Sequence, residues 1–180
     1  MYKFIALVIT LLSTLQFAKA QQVGKSPLII GETIAIESNI LNEKRAINIH
    51  LPSSYNPNSM DKYPVFYLLD GSIDEDFIHV VGNVQFCSFS WINIIPESIV
   101  VGISNVDRKR DFTYPSKLDL DQKEFPTSGK SSDFIDFISE ELQPYIVKHY
   151  KTNNETTLIC LLYTSPSPRD ATLSRMPSSA

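Results

Sequence analysis

Cysteine, histidine and glycine are scarce in this 180-residue chain: two, three and six residues respectively. Two cysteines cannot build a disulfide-dense scaffold. Cys87 and Cys160 could pair in an exported protein. The sequence does not favour that pairing, because Cys160 opens a segment whose pattern breaks with the rest. No His/Cys/Asp/Glu spacing suits a metal ion, and the glycines form neither a phosphate loop nor a dinucleotide fingerprint. No cofactor is implied. Basic residues are also few, with 16 Lys and Arg against 20 Asp and Glu, for a formal charge of −4. Their one cluster, Arg108-Lys109-Arg110, has acids on both sides. Nothing supplies a phosphate-tracking surface, so nucleic acid is excluded as the expected partner.

Long apolar runs are equally rare. The exception is the N-terminus, where Lys3 precedes an almost unbroken apolar run over 4–15, followed by Ala18-Lys19-Ala20. A positive residue, a short apolar stretch and a small-x-small site describe an export signal over 1–20, with Gln21 starting the mature chain. A run this short does not span about 30 Å of hydrocarbon as a helix. The expectation is an exported, periplasmic or extracellular protein with no stable membrane insertion after cleavage.

The mature part has the means to build a core: 43% of the chain is apolar, including ten Phe and eight Tyr. Residues 33–40 alternate, with Ile34, Ile36 and Ile40 on one face. Asn42-Glu43-Lys44 reads as a polar turn. Residues 45–51 alternate again, Ala46, Asn48 and His50 against Ile47, Ile49 and Leu51. Two such strands across a short link predict an antiparallel hairpin. Residues 65–69 (Val-Phe-Tyr-Leu-Leu) and 99–103 (Ile-Val-Val-Gly-Ile) are apolar on both faces, as buried parallel strands are. A helix is expected between them, over 74–86. Residues 105–115 are charged and read as loop, and 116–130 as a polar excursion. Residues 131–150 carry a broad apolar stripe, with Ser131 or Ser132 as N-cap and Pro144 as a kink or break. Another strand begins at Thr156. This order predicts an α/β fold with a mainly parallel sheet preceded by an antiparallel hairpin.

The pattern stops after Ile159. Residues 160–180 are rich in Ser and Pro and show no periodicity. They suit a disordered tail, and more specifically resemble an adapter read-through tail carried by unrelated translated environmental sequences. The domain expectation is therefore a signal segment over 1–20, a partial α/β domain over 21–159 and a non-native tail over 160–180. A sheet lacking its later elements is expected to leave one face bare and to be poorly soluble.

Four stretches, in order, resemble the esterase family of α/β-hydrolases that holds esterase D-like enzymes, enterochelin (siderophore) esterases and the antigen 85 mycolyltransferases. They are residues 41–52, residues 63–71 ending in Asp70-Gly71, residues 102–113 with Asn105, Asp107, Arg108, Arg110, Asp111 and Thr113, and residues 134–150 with Glu141-Leu142-x-Pro144-Tyr145-Ile146. The exported siderophore-esterase-like branch is the nearest in pattern. The resemblance implies a serine hydrolase of small carboxylic esters whose nucleophile sits in Gly-x-Ser-x-Gly just after the strand at 156–159. None of the six glycines begins that motif; Gly129-Lys130-Ser131 comes nearest, with Asp133 in place of the second glycine. Catalytic Ser, acid and His are thus expected to be absent, and the chain as written inactive. Two parts of the site remain as candidates. Backbone N–H groups of Gly71 and Ser72 could serve an oxyanion hole. Asp70, Asn105, Asp107, Arg108 and Arg110 follow strand ends and could line an active-site rim. Acyl transfer on the same fold, or a non-catalytic exported binding module, are the alternatives.

Overall fold

The computed structural model describes residues 24–160; the expected signal segment and the tail beyond Cys160 lie outside the described residues. Its centre is a five-stranded sheet in the order β1-β2-β4-β3-β5. β1 (Glu32–Ser38) and β2 (Glu43–His50) form the antiparallel hairpin the alternation predicts, with Ile34 opposite Ile47 and Ile36 opposite Arg45. The turn lies earlier than expected. It occupies residues 39–42, where Asn42 takes a φ of 52° that few residues but Gly, Asn and Asp adopt readily. Glu43 and Lys44 therefore belong to β2, and Lys44 pairs with Glu37 across the strands at 2.7 Å.

β3 (Tyr63–Leu68) and β4 (Ile99–Ile103) lie parallel and adjacent, as their two-faced apolarity demands. All five residues of β4 are buried. β2 closes one side of β4 antiparallel, and β5 (Thr152–Ile159) runs parallel to β3 on the other.

Each face of the sheet carries a helix. α1 (Phe77–Ser88) places Phe77, Val80, Val81 and Val84 against Leu68 and Val100. The opposite face packs Ile47, Ile49, Val65, Tyr67, Val101 and Ile103 against Phe134, Phe137, Leu142 and Ile146. The expectation of one bare face is thereby corrected: exposure concentrates on β5, where residues 154–158 are exposed, Leu158 among them.

The long helical segment over 131–149 is interrupted as Pro144 requires. α4 (Ser131–Asp136) runs into a π-helical turn (Phe137–Leu142) before α5 (Gln143–His149) restarts the α-ladder with Pro144 in its first turn. Proline lacks the N–H that would continue the ladder, and a wider turn absorbs the mismatch. The N-cap expectation fails: Lys130 occupies that position, and the Ser131 hydroxyl is buried with no partner among the described residues. Two short helices were also unexpected. α2 (Arg108–Phe112) is capped by Asp107, and α3 (Asp119–Glu124) rides exposed on the excursion. Cys87 and Cys160 are both free thiols.

Gly82 sits in the exposed middle of α1, and a Cβ there would meet nothing within 4 Å. Gly82→Ala is expected to raise stability by about 1 kcal/mol, since alanine restricts the unfolded chain and favours helix. The urea midpoint followed by circular dichroism measures it.

Candidate active site

The parallel strands β3 and β4 end side by side, and the chain leaving β3 crosses the end of β4. Leu69 N–H still donates to the Ile159 carbonyl (2.9 Å), after which Asp70 turns the chain with a φ of 55°. A left-handed Asp costs on the order of 1–3 kcal/mol and persists only where its surroundings hold it. Here they do. Asp70 is buried, and both carboxylate oxygens accept from Arg108, Oδ1 from Nε at 2.6 Å and Oδ2 from Nη2 at 2.8 Å. Asn105 adds a 2.6 Å bond to Oδ1, and the Asp70 carbonyl accepts from Asp76 N–H at 3.1 Å. Arg108 also lies over the Phe112 ring, 5.2 Å from its centroid.

Burial raises the Asp70 carboxyl, but the hydrogen bonds from Arg108 and Asn105 and the guanidinium charge outweigh it and hold the group below its ordinary value. Glu43 behaves alike: burial opposes ionisation, and Arg110 and Arg45 overcome it. A carboxyl depressed in the folded state adds stability that is complete above its unfolded pKa of about 4 and is lost as pH falls through the folded value. The urea midpoint is therefore expected to be level near neutrality and to fall below about pH 4. Asp70→Asn should lose stability at pH 7 and flatten that acid decline.

The other candidates separate. Gly71 N–H donates to the Ile103 carbonyl at 3.0 Å, and its carbonyl accepts from buried Asn48 Nδ2 at 2.7 Å. Its N–H is therefore taken and cannot serve an oxyanion in this arrangement. Among the described residues, Ser72 N–H makes a 3.3 Å exposed bond to Glu75 Oε2. Asn105 bridges Asp70 and Glu75, the latter at 3.0 Å. Asp107 is not brought to Asp70: its side chain caps α2 by accepting from Arg110 N–H at 3.0 Å, which lowers its pKa.

Arg110 is likewise not brought to Asp70. It reaches away from Asp70 to Glu43, making two bonds at 2.6 and 2.9 Å, and donates from Nε to Asp111 at 2.7 Å. These join Arg45, whose side chain is 1% exposed and which binds both Asp111 and Glu43. The result is a closed four-residue charge cluster between β2 and α2, with Arg45 also 5.3 Å from the Phe134 centroid. It fixes α2, and so fixes Arg108, without facing the rim.

Glu75 is the rim residue the sequence reading missed. Its signal was the Ser72-x-x-Glu75 spacing, which here lets Glu75 accept from Ser72 N–H in the turn before α1, whose N-cap is Asp76. Cys160, half-buried at the end of β5, completes the neighbourhood. Its thiol is raised by burial and by Asp70, with Arg108 opposing. The histidines lie elsewhere in the fold, His50 on Ile30, His79 on Asn83 and His149 on Tyr145.

A mixed sheet with a helix against each face, its parallel strands ending side by side at the Asp70–Arg108 pair, has the α/β-hydrolase type of fold seen in the solved structures it resembles. The chain belongs to the esterase family: the model described as "Putative esterase" matches residues 38–160, more than half of it. It is 31% identical over 130 residues to ferri-bacillibactin esterase BesA of Bacillus subtilis, covering 66% of this chain and 45% of that protein. Among solved structures it resembles an IroE-like serine hydrolase from Shewanella oneidensis (34% identity, TM-score 0.62, covering 71% of this chain and 41% of the other). It also resembles the BES protein of Bacillus cereus (28%, 0.59, 77% and 54%). The chain thus spans about half the length, or less, of these relatives.

Proposed function

We propose that this chain is the pre-nucleophile portion of an exported serine esterase that hydrolyses small carboxylic esters of the siderophore type. The observation that carries the reading is the rim itself. Arg108 is clamped by Asp70 at the carboxyl ends of parallel strands, beside the lightly held N–H of Ser72, in a chain similar to an enzyme named for a siderophore ester. In the parent enzyme a serine after β5 attacks the ester carbonyl, a histidine carries its proton, and an acid orients the histidine. Ser72 N–H is the donor this portion supplies to the developing oxyanion, a contact of the kind worth roughly 3 kcal/mol. Arg108, fixed in place by Asp70 and Asn105, offers a cation to an acidic or oxygen-rich substrate.

The 180-residue chain contains no Gly-x-Ser-x-Gly, so it is expected to turn over p-nitrophenyl acetate no faster than buffer. Turnover above background would contradict the role given to the absent serine. Reading the parent DNA past codon 159 tests the larger claim. A Gly-x-Ser-x-Gly within a few codons supports the esterase, and an open frame lacking it favours a binding module on the same fold.

A further inference from the structure

A cavity with polar walls lies at the far end of the sheet from the rim. It has a volume of about 460 Å³ and is bordered by His50, Gln85, Phe89, Trp91, Asn93 and Glu97. That is within the roughly 300–1,000 Å³ typical of small-molecule sites. Ser98, just before β4, also borders it, whereas the rim follows Ile103; the five residues of β4 separate the two by about 13 Å.

Its floor is an aromatic stack. Phe89 and Trp91 lie nearly parallel, 4.5 Å apart with 18° between planes, and Phe86 meets Phe89 edge-on. Trp91 is nevertheless 74% exposed. The loop that carries it is held in advance: Ile92 and Asn93 N–H both donate to the Phe89 carbonyl at 2.8 Å, and Ile94 N–H to the Cys87 carbonyl at 2.9 Å. A platform built this way loses little freedom when something lies on it.

The walls are rich in acceptors. Ser53 donates to Glu97 Oε1 at 3.0 Å and Ser54 to Oε2, which orients the carboxylate and leaves each oxygen a further lone pair. His50 Nδ1 sits 2.6 Å from the Ile30 carbonyl. That oxygen can only accept, so in the neutral ring Nδ1 carries the hydrogen and Nε2 keeps its lone pair. Gln85 and Asn93 add amides that both give and accept. A ligand with one apolar face and many hydroxyl donors matches this set.

We propose that this cavity is a carbohydrate subsite, separate from the ester rim, which takes a neutral oligosaccharide by stacking a sugar ring on Trp91 and hydrogen-bonding its hydroxyls to Glu97, Gln85, Asn93 and His50. It stands whether or not the parent hydrolyses esters.

Trp91 is the chain's only tryptophan, so its fluorescence reports this site alone. The test titrates the full chain with neutral gluco-, xylo- and galacto-configured tetrasaccharides, and separately with tetramethylammonium and guanidinium. A saturable emission change with at least one sugar series is expected. Glu97→Ala should weaken it about tenfold and Gln85→Ala, on the exposed face of α1, about fivefold. Circular dichroism establishes that each variant folds, and calorimetry on Trp91→Ala should show no heat. No saturable change with any sugar, saturation by the cations alone, or a sugar response that both variants leave intact would each overturn the proposal.

Discussion

Asp111→Ala is expected to lower stability by about 3–5 kcal/mol, because it strands a buried guanidinium. Arg45 is 1% exposed and its charge is met by Asp111 and Glu43, and its Nε has no partner among the described residues. Removing Asp111 also takes one acceptor from Arg110. Against the 5–15 kcal/mol of an ordinary domain this is a large share. The informative contrast lies on the same strand. Lys44–Glu37 is equally close, at 2.7 Å, but both side chains are about 70% exposed. Lys44→Ala should therefore cost less than about 1 kcal/mol. Urea unfolding of the two variants under identical conditions measures the difference. A loss at Asp111 no greater than at Lys44 would remove the charge cluster as the anchor of α2. Replacing the pair together by apolar residues, Arg45→Met with Asp111→Leu, should recover part of the loss, since no ion is then left alone.

The hairpin and the two central strands were legible because burial dictates their pattern directly. Ile34 and Ile36 alternate because one face of β1 meets the core, and Ile99 to Ile103 are unbroken because both faces of β4 are covered. Pro144 announced a break by simple chemistry, though its form, a π-helical turn, depends on how Phe137 and Leu142 both reach the core. The rim was legible only in part. Asp70, Ser72, Asn105 and Arg108 lie together, while Asp107 and Arg110 turn to other partners, and the reason is α2. Its five residues carry no apolar periodicity, and it exists because Asp107 caps it. Once helical, Arg108 and Arg110 point to different partners, Asp70 and Glu43, which a reading of the segment as loop cannot separate. Arg45 gave a usable signal. A charge in register with Ile47 and Ile49 must be buried, and a buried charge needs acids nearby.

Gly71→Ala is the substitution expected to disturb the rim most, with a loss of about 3 kcal/mol or more. An ideal Cβ at Gly71 would lie 2.4 Å from Gly102 Cα and 2.5 Å from Ile103 N, both main-chain atoms of a strand buried along its whole length. No side chain can move aside, so the crossing chain itself must lift. Lifting breaks the Gly71–Ile103 bond and the buried bond from Asn48. Gly102→Ala provides the control. Its Cβ would meet the Phe77 ring at 2.5 Å as well as the Gly71 carbonyl at 2.6 Å. Trimming Phe77 to leucine should therefore relieve Gly102→Ala in part and leave Gly71→Ala unrelieved. Urea midpoints of the two single and two double variants give the comparison. Equal rescue of both would mean that the close approach of Gly71 to β4 is not what sets the path of the chain. If Gly71→Ala still folds, the lifted turn carries Ser72 with it. On the function proposed above, kcat of the full-length protein should then fall more than KM rises, because a displaced donor fails the transition state rather than the bound ester.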